Sequence, residues 1–137
     1  MKYLWAYGGT LAAFAVMDLI WLGLIAKNFY RTQLGDLMAQ NFQIWAALAF
    51  YLVFPVGLVI FAVRPEDTGI GIRGAAIAGA LFGFFAYATY DLTNLATLRG
   101  WPIALTFADL AWGTFLSGVS AAVGRWIMLA MIAPSPT

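Results

Sequence analysis

The fold class this sequence predicts is an all-α polytopic membrane protein with four transmembrane helices in an up-down bundle, and three observations predict it. The chain is 64% hydrophobic and 9% charged with a mean hydropathy of +0.86, well above the roughly 45–50% apolar content of soluble domains. Four stretches hold at most one charged residue each over the roughly 20 residues needed to cross a hydrocarbon core. Two of the three connections are short turns, so the helices they join run antiparallel.

The helices are expected at about 3–26, 43–63, 74–98 and 103–126, in a single domain 1–132, with residues 133–137 as a flexible tail carrying prolines at 134 and 136. The first stretch follows Lys2 but is not read as a secretory signal. It is too long, Asp18 interrupts it, and Leu24-Ile25-Ala26 lacks a small residue at the first site of a cleavage motif. The connection from Lys27 to Phe42 is longer, and Phe29, Tyr30, Leu34, Leu37, Met38 and Phe42 recur near helical spacing among polar residues. That pattern suggests a short amphipathic helix in the interface, the alternative being an irregular loop anchored by Phe29 and Tyr30. In the second stretch Pro55 should bend the helix and free a carbonyl. Arg64-Pro65-Glu66-Asp67-Thr68-Gly69 reads as a turn, and Gly100-Trp101-Pro102 as a glycine stop followed by a proline that opens the next helix.

Three of the four stretches carry one acid apiece, each followed by leucine: Asp18, Asp91 and Asp109. Insertion scales put a central aspartate at roughly 2.5–3.5 kcal/mol, so the three should face one another or a shared polar cavity. Asp18 lies nine residues before Lys27, Asp91 eight before Arg99, and Asp109 eight after Trp101. At about 1.5 Å per residue all three sit roughly 12–13 Å below one membrane face. Trp21, Asn94 and Trp112 each follow an acid by three residues and share its helix face, as does Tyr87 one turn before Asp91. The candidate ligand-binding set is therefore Asp18, Trp21, Tyr87, Asp91, Asn94, Asp109 and Trp112. Trp5 and Trp101 fit an interfacial belt instead. The second helix brings no acid and is expected to serve as a wall or gate.

Small residues mark the close helix contacts. Ala75, Gly79 and Gly83 repeat every four residues and lead to Tyr87 and Asp91, while Gly113, Ser117 and Ala121 do the same in the fourth helix. The absence of cysteine and histidine excludes disulfides, thiol nucleophiles, imidazole-ligated haem and histidine acid/base relays. No metal and no cofactor is assigned, although carboxylates alone could hold a metal. Lys2, Arg64, Arg73 and Arg125 fall on one side of the membrane against Lys27, Arg31 and Arg99 on the other, a slight bias toward cytoplasmic termini.

Met17-Asp18-Leu19-Ile20-Trp21-Leu22-Gly23, the run from Tyr90 through Asp91 to Pro102, and Asp109-Leu110-Ala111-Trp112-Gly113 resemble an uncharacterised family, a domain of unknown function, of small bacterial four-helix inner-membrane proteins. The resemblance covers nearly the whole chain, implies a multi-pass protein of the bacterial inner membrane, and carries no reaction. A fainter resemblance, to small multidrug exporters, rests on four helices, an acid in the first helix and near-balanced charge. This chain departs from it in using aspartate, in its two further acids and in its length.

Two function classes follow. One is a pocket of carboxylates, Asn94 and indoles that binds a lipid-like or cationic small molecule, with acid/base chemistry or proton-coupled movement both within its reach. The other is a structural or accessory subunit, packed in the lipid bilayer on a larger membrane complex or on copies of itself as a homo-oligomer. No nucleic-acid partner is expected.

Overall fold

The computed structural model describes residues 1–64 and 71–132. The expected turn past Arg64 and the tail at 133–137 lie outside the described residues. Every regular element described is helical: α1 (Lys2–Ile20) ending in a π-helical turn (Trp21–Ile25), α2 (Lys27–Leu34) followed by a 3-10 turn (Gly35–Leu37), α3 (Ile44–Leu58) ending in a second π-helical turn (Val59–Val63), α4 (Ile72–Thr97) and α5 (Ile103–Ala130). Four segments are long and apolar enough to cross a membrane: Lys2–Ile25, Ile44–Val63, Ile72–Thr97 and Ile103–Ala130. The chain is a multi-pass membrane protein.

The most extensive contact joins α4 to α5, and its cause is the absence of side chains. A Cβ built on Gly79 would overlap Ala121 and the Ser117 carbonyl, and one on Gly83 would overlap Ser117 and the Gly113 carbonyl oxygen. Only glycine lets the two backbones meet there. The hairpin between these helices turns at Gly100, whose φ of +72° lies in the left-handed region that favours glycine, and Pro102 stands immediately before α5.

Helix α5 also packs along α1, where Gly124 lies against Thr10 and the Ala6 carbonyl. At that end Ala6, Val59, Ala62, Val63, Ala121 and Met128 form an aliphatic core in which alanine and valine predominate. Helix α3 meets α4 chiefly through the Val59–Val63 turn, so the bundle is tight at the Val63 end. Toward the opposite end Phe14, Leu58 and Leu116 are buried among Tyr51, Phe54, Phe82 and Trp112, and bulky rings replace the small residues that draw helices together. Near Pro55 the Leu52 carbonyl accepts a hydrogen bond from the Tyr7 hydroxyl at 3.0 Å.

Arg125 departs from expectation. The sequence offers it a place at the interface, either ending the fourth helix or snorkelling from it. Instead α5 continues to Ala130, and the buried guanidinium donates from Nη1 to the Val63 carbonyl at 2.8 Å. It caps the end of α3, where carbonyls have no partner within the helix and the macrodipole is negative. Arg125→Met is accordingly expected to lower stability by about 1.5–3 kcal/mol, the range for a charge-assisted hydrogen bond. Unfolding midpoints in mixed micelles measure this, and an unchanged midpoint would show that the contact contributes nothing.

Candidate functional site

Where the rings hold the helices apart, a cavity of about 470 Å3 opens among α1, α2, α3, α4 and α5. Among the described residues its charged lining consists of Asp18 and Asp109, and no basic residue reaches it. Six aromatic side chains supply most of the rest: Tyr30, Phe50, Phe54, Tyr87, Tyr90 and Trp112, with Leu22 and Ala86 between them. Its size lies within the roughly 300–1,000 Å3 range of small-molecule pockets.

The acids are held by indole and phenol donors. Asp18 is buried and accepts at both oxygens, from Trp112 Nε1 at 2.9 Å and from the Tyr51 hydroxyl at 2.6 Å. The Tyr30 hydroxyl donates to Asp109 Oδ1 and accepts from Trp21 Nε1 at 3.3 Å. Burial, reinforced by Asp109, pushes the Tyr30 phenol well above its ordinary pKa, so it stays a donor. Trp21 stacks on Trp112 with ring centroids 4.5 Å apart and planes 10° from parallel. One connected set of side chains thus joins α1, α2, α3 and α5.

Local structure explains the convergence. Side chains four residues apart lie on one helix face, which carries Tyr87 and Asp91 along α4. Gly113 lets Tyr87 lie across α5, because a Cβ there would overlap the phenol ring. The π-helical turn after Ile20, closed by the Ala26 amide on the Trp21 carbonyl at 2.7 Å, adds a residue to the turn just before α2, which brings Tyr30 back over the cavity.

A family model described as "Predicted membrane protein (DUF2177)" matches residues 3–126. The chain belongs to this family. No curated protein and no solved structure matches it.

In this DUF2177 chain the seven residues singled out from sequence divide into two groups. Asp18, Tyr87, Asp109 and Trp112 line the cavity. Trp21, Asp91 and Asn94 do not, although sequence spacing placed them on the same faces. Trp21 supports the wall from behind by stacking on Trp112. Asp91 is fully buried against Asp109, the two carboxyls near enough to act on each other electrostatically. Its oxygens make no hydrogen bond of ordinary geometry. Asn94 lies beside Tyr90, one turn farther along, where Trp101 packs edge-on against Tyr90 with centroids 5.6 Å apart. Among the described residues no three acids come close enough to hold a metal ion.

Sequence reasoning missed Tyr30 and Tyr51 as partners of the acids, and Phe50, Phe54, Tyr90 and Leu22 as lining. Tyr30 was read within the interfacial segment, which exists as α2, but its hydroxyl turns inward. At the start of α3, Trp45 Nε1 donates to Gln43 Oε1 on the exterior at 3.0 Å. The signal for Tyr51 was present: it is the one hydroxyl of the second span that can reach an acid, and buried carboxyls require donors.

Proposed function

We propose that this protein binds an apolar organic cation in the intramembrane cavity. The observation that carries the reading is the lining: two carboxyl groups, no basic side chain and six aromatic rings. Acids in a medium of low dielectric repel anions and attract cations, and ring faces add cation–π attraction that grows once the cation is desolvated. The cavity stands between bilayer depth and the interface that α2 occupies, which suits a guest with both a charge and an apolar body, including a lipid-like amine. The membrane is proposed to be the inner membrane of a bacterium. With Arg125 drawn into the bundle, Lys2, Arg64 and Arg73 balance Lys27, Arg31 and Arg99, and the positive-inside rule favours neither orientation.

Calorimetric titration of the purified protein in lipid nanodiscs with benzyltrimethylammonium, against benzenesulfonate and benzyl alcohol, tests the reading. The cation alone should bind, and Asp109→Asn should weaken it by about tenfold or more, the loss of roughly 1.4 kcal/mol. Equal binding of all three compounds, or of none, would sink it.

A second reading, an accessory subunit or homo-oligomer, draws on a different feature. The outer face of α4 and α5 carries an apolar groove of about 910 Å3 floored by Ala76, Ala80, Ala111 and Gly118. Small residues at a lipid-facing groove are the material of helix association in membranes. Copurification of a stoichiometric partner, or self-association lost on Ala80→Phe, would favour it.

A further inference from the structure

Asp91 is the one acid of the cluster that the cavity reading leaves without a role. Its side chain is 0% exposed, neither oxygen makes a hydrogen bond of ordinary geometry, and the group close enough to act on it is another acid, Asp109. Two bare carboxylates in that relation would repel each other across a medium of low dielectric. A single proton held between them removes the repulsion and supplies the missing hydrogen bond, as in acid dyads elsewhere. Asp109 is then two-faced: it meets Asp91 on one side and the cavity on the other.

From this juxtaposition we infer that the protein exchanges a proton for its cation: entry of an organic cation beside Asp109 expels the proton that Asp91 and Asp109 share. The inference rests on the cation-binding reading above. The balance is simple. Before binding the pair carries one negative charge and one proton; afterwards it carries two negative charges and one bound cation, and the proton has passed to water at the cavity mouth. The net charge of the pair is minus one in both states, so the exchange adds no further charge to the membrane interior.

The other titratable groups facing the pair do not offer an equivalent exchange. Asp18 of α1 is already engaged at both oxygens by Trp112 and Tyr51 of α3. Tyr30 of α2 donates to Asp109 and remains protonated. Tyr87 and Tyr90 belong to the α4 wall. Lys27, Arg31 and Arg99 are exposed, outside the cavity lining. The sign of the linkage follows: cation binding is strong where the pair has lost its proton, and weakens as pH falls through its titration.

The test measures proton release directly. Benzyltrimethylammonium is titrated into the nanodisc protein in buffers of differing ionisation enthalpy, between about pH 5.5 and 8.5, where a one-proton exchange changes affinity by about tenfold per pH unit. Wild type should release up to one proton per cation, and Asp91→Asn should bind the cation with little release and a flat pH profile. Binding without proton release in wild type, or undiminished release in Asp91→Asn, overturns the exchange while leaving the pocket intact. Absence of cation binding overturns the pocket reading and this inference with it. Infrared difference spectra of wild type alone provide a second check that needs no variant. The carboxylic-acid C=O band should fall on cation addition, and an unchanged band overturns the proposal.

Discussion

Gly83→Ala is expected to destabilise the bundle by about 1–3 kcal/mol, the usual cost of overpacking a close contact, even though alanine is the better helix former. The new methyl would overlap the Gly113 carbonyl oxygen and the Ser117 side chain. A carbonyl held in its own helix cannot step aside, so α4 must move away from α5 over its length. The same movement separates Asp91 from Asp109, and cation binding should decline with stability. Gly8→Ala is the matched control, since nothing lies within 4 Å of a Cβ there, and helix propensity alone should leave it neutral or up to about 1 kcal/mol more stable. Unfolding midpoints from detergent titration, followed by circular dichroism, compare the two. Equal midpoints would refute the close approach of α4 and α5.

That contact is a case where the sequence was legible to the residue. The four-residue repeat of Ala75, Gly79 and Gly83, set against Gly113, Ser117 and Ala121, marks which faces meet, because periodicity and size are both written in the chain. The four spans were legible for a similar reason: an apolar run of bilayer length has few alternatives in lipid. Counting along straight helices put Asp18 and Asp109 at one level, and both line one cavity. Rotation about the helix axis was harder to read. Asp91 and Asn94 were assigned to a pocket wall from their shared face, yet helix α5 covers the first and the cavity ends before the second. Spacing on one helix says which residues lie together and leaves open which neighbour covers them. Tyr30 was hidden by a different cause. An amphipathic segment reads the same whether its aromatic residues lie in lipid headgroups or turn inward, and only the path of the chain after the π-helical turn at Trp21–Ile25 decides between them. Trp101 is a milder case: it stands at the hairpin where a belt residue belongs, but its indole nitrogen donates to Thr106 Oγ1 at 3.1 Å.

The largest contrast among the acids should appear between Asp18 and Asp91. Asp18→Leu removes the acceptor from two donors at once, Trp112 Nε1 and the Tyr51 hydroxyl, and a buried donor left without a partner costs about 1–3 kcal/mol. The unfolded chain in a membrane also finds partners for its polar groups, which holds such costs toward the lower part of that range, so a loss of about 2–4 kcal/mol is expected. Asp18→Asn should recover much of it, because the amide oxygen still accepts from the indole and the Tyr51 hydroxyl can turn to accept from the amide nitrogen. At Asp91 the bond at stake is the proton shared with Asp109, and in Asp91→Asn the new amide can donate to Asp109 in its place, so stability should stay within about 0.5 kcal/mol of wild type, the range of substitutions that break no specific interaction. The measurement is the same detergent unfolding series, read through the fluorescence of the stacked Trp21 and Trp112. Equal losses for Asp18→Leu and Asp91→Asn would mean that both acids serve as hydrogen-bond anchors, and the division of labour between a fixed acid on α1 and a proton-bearing pair on α4 and α5 would have to be abandoned.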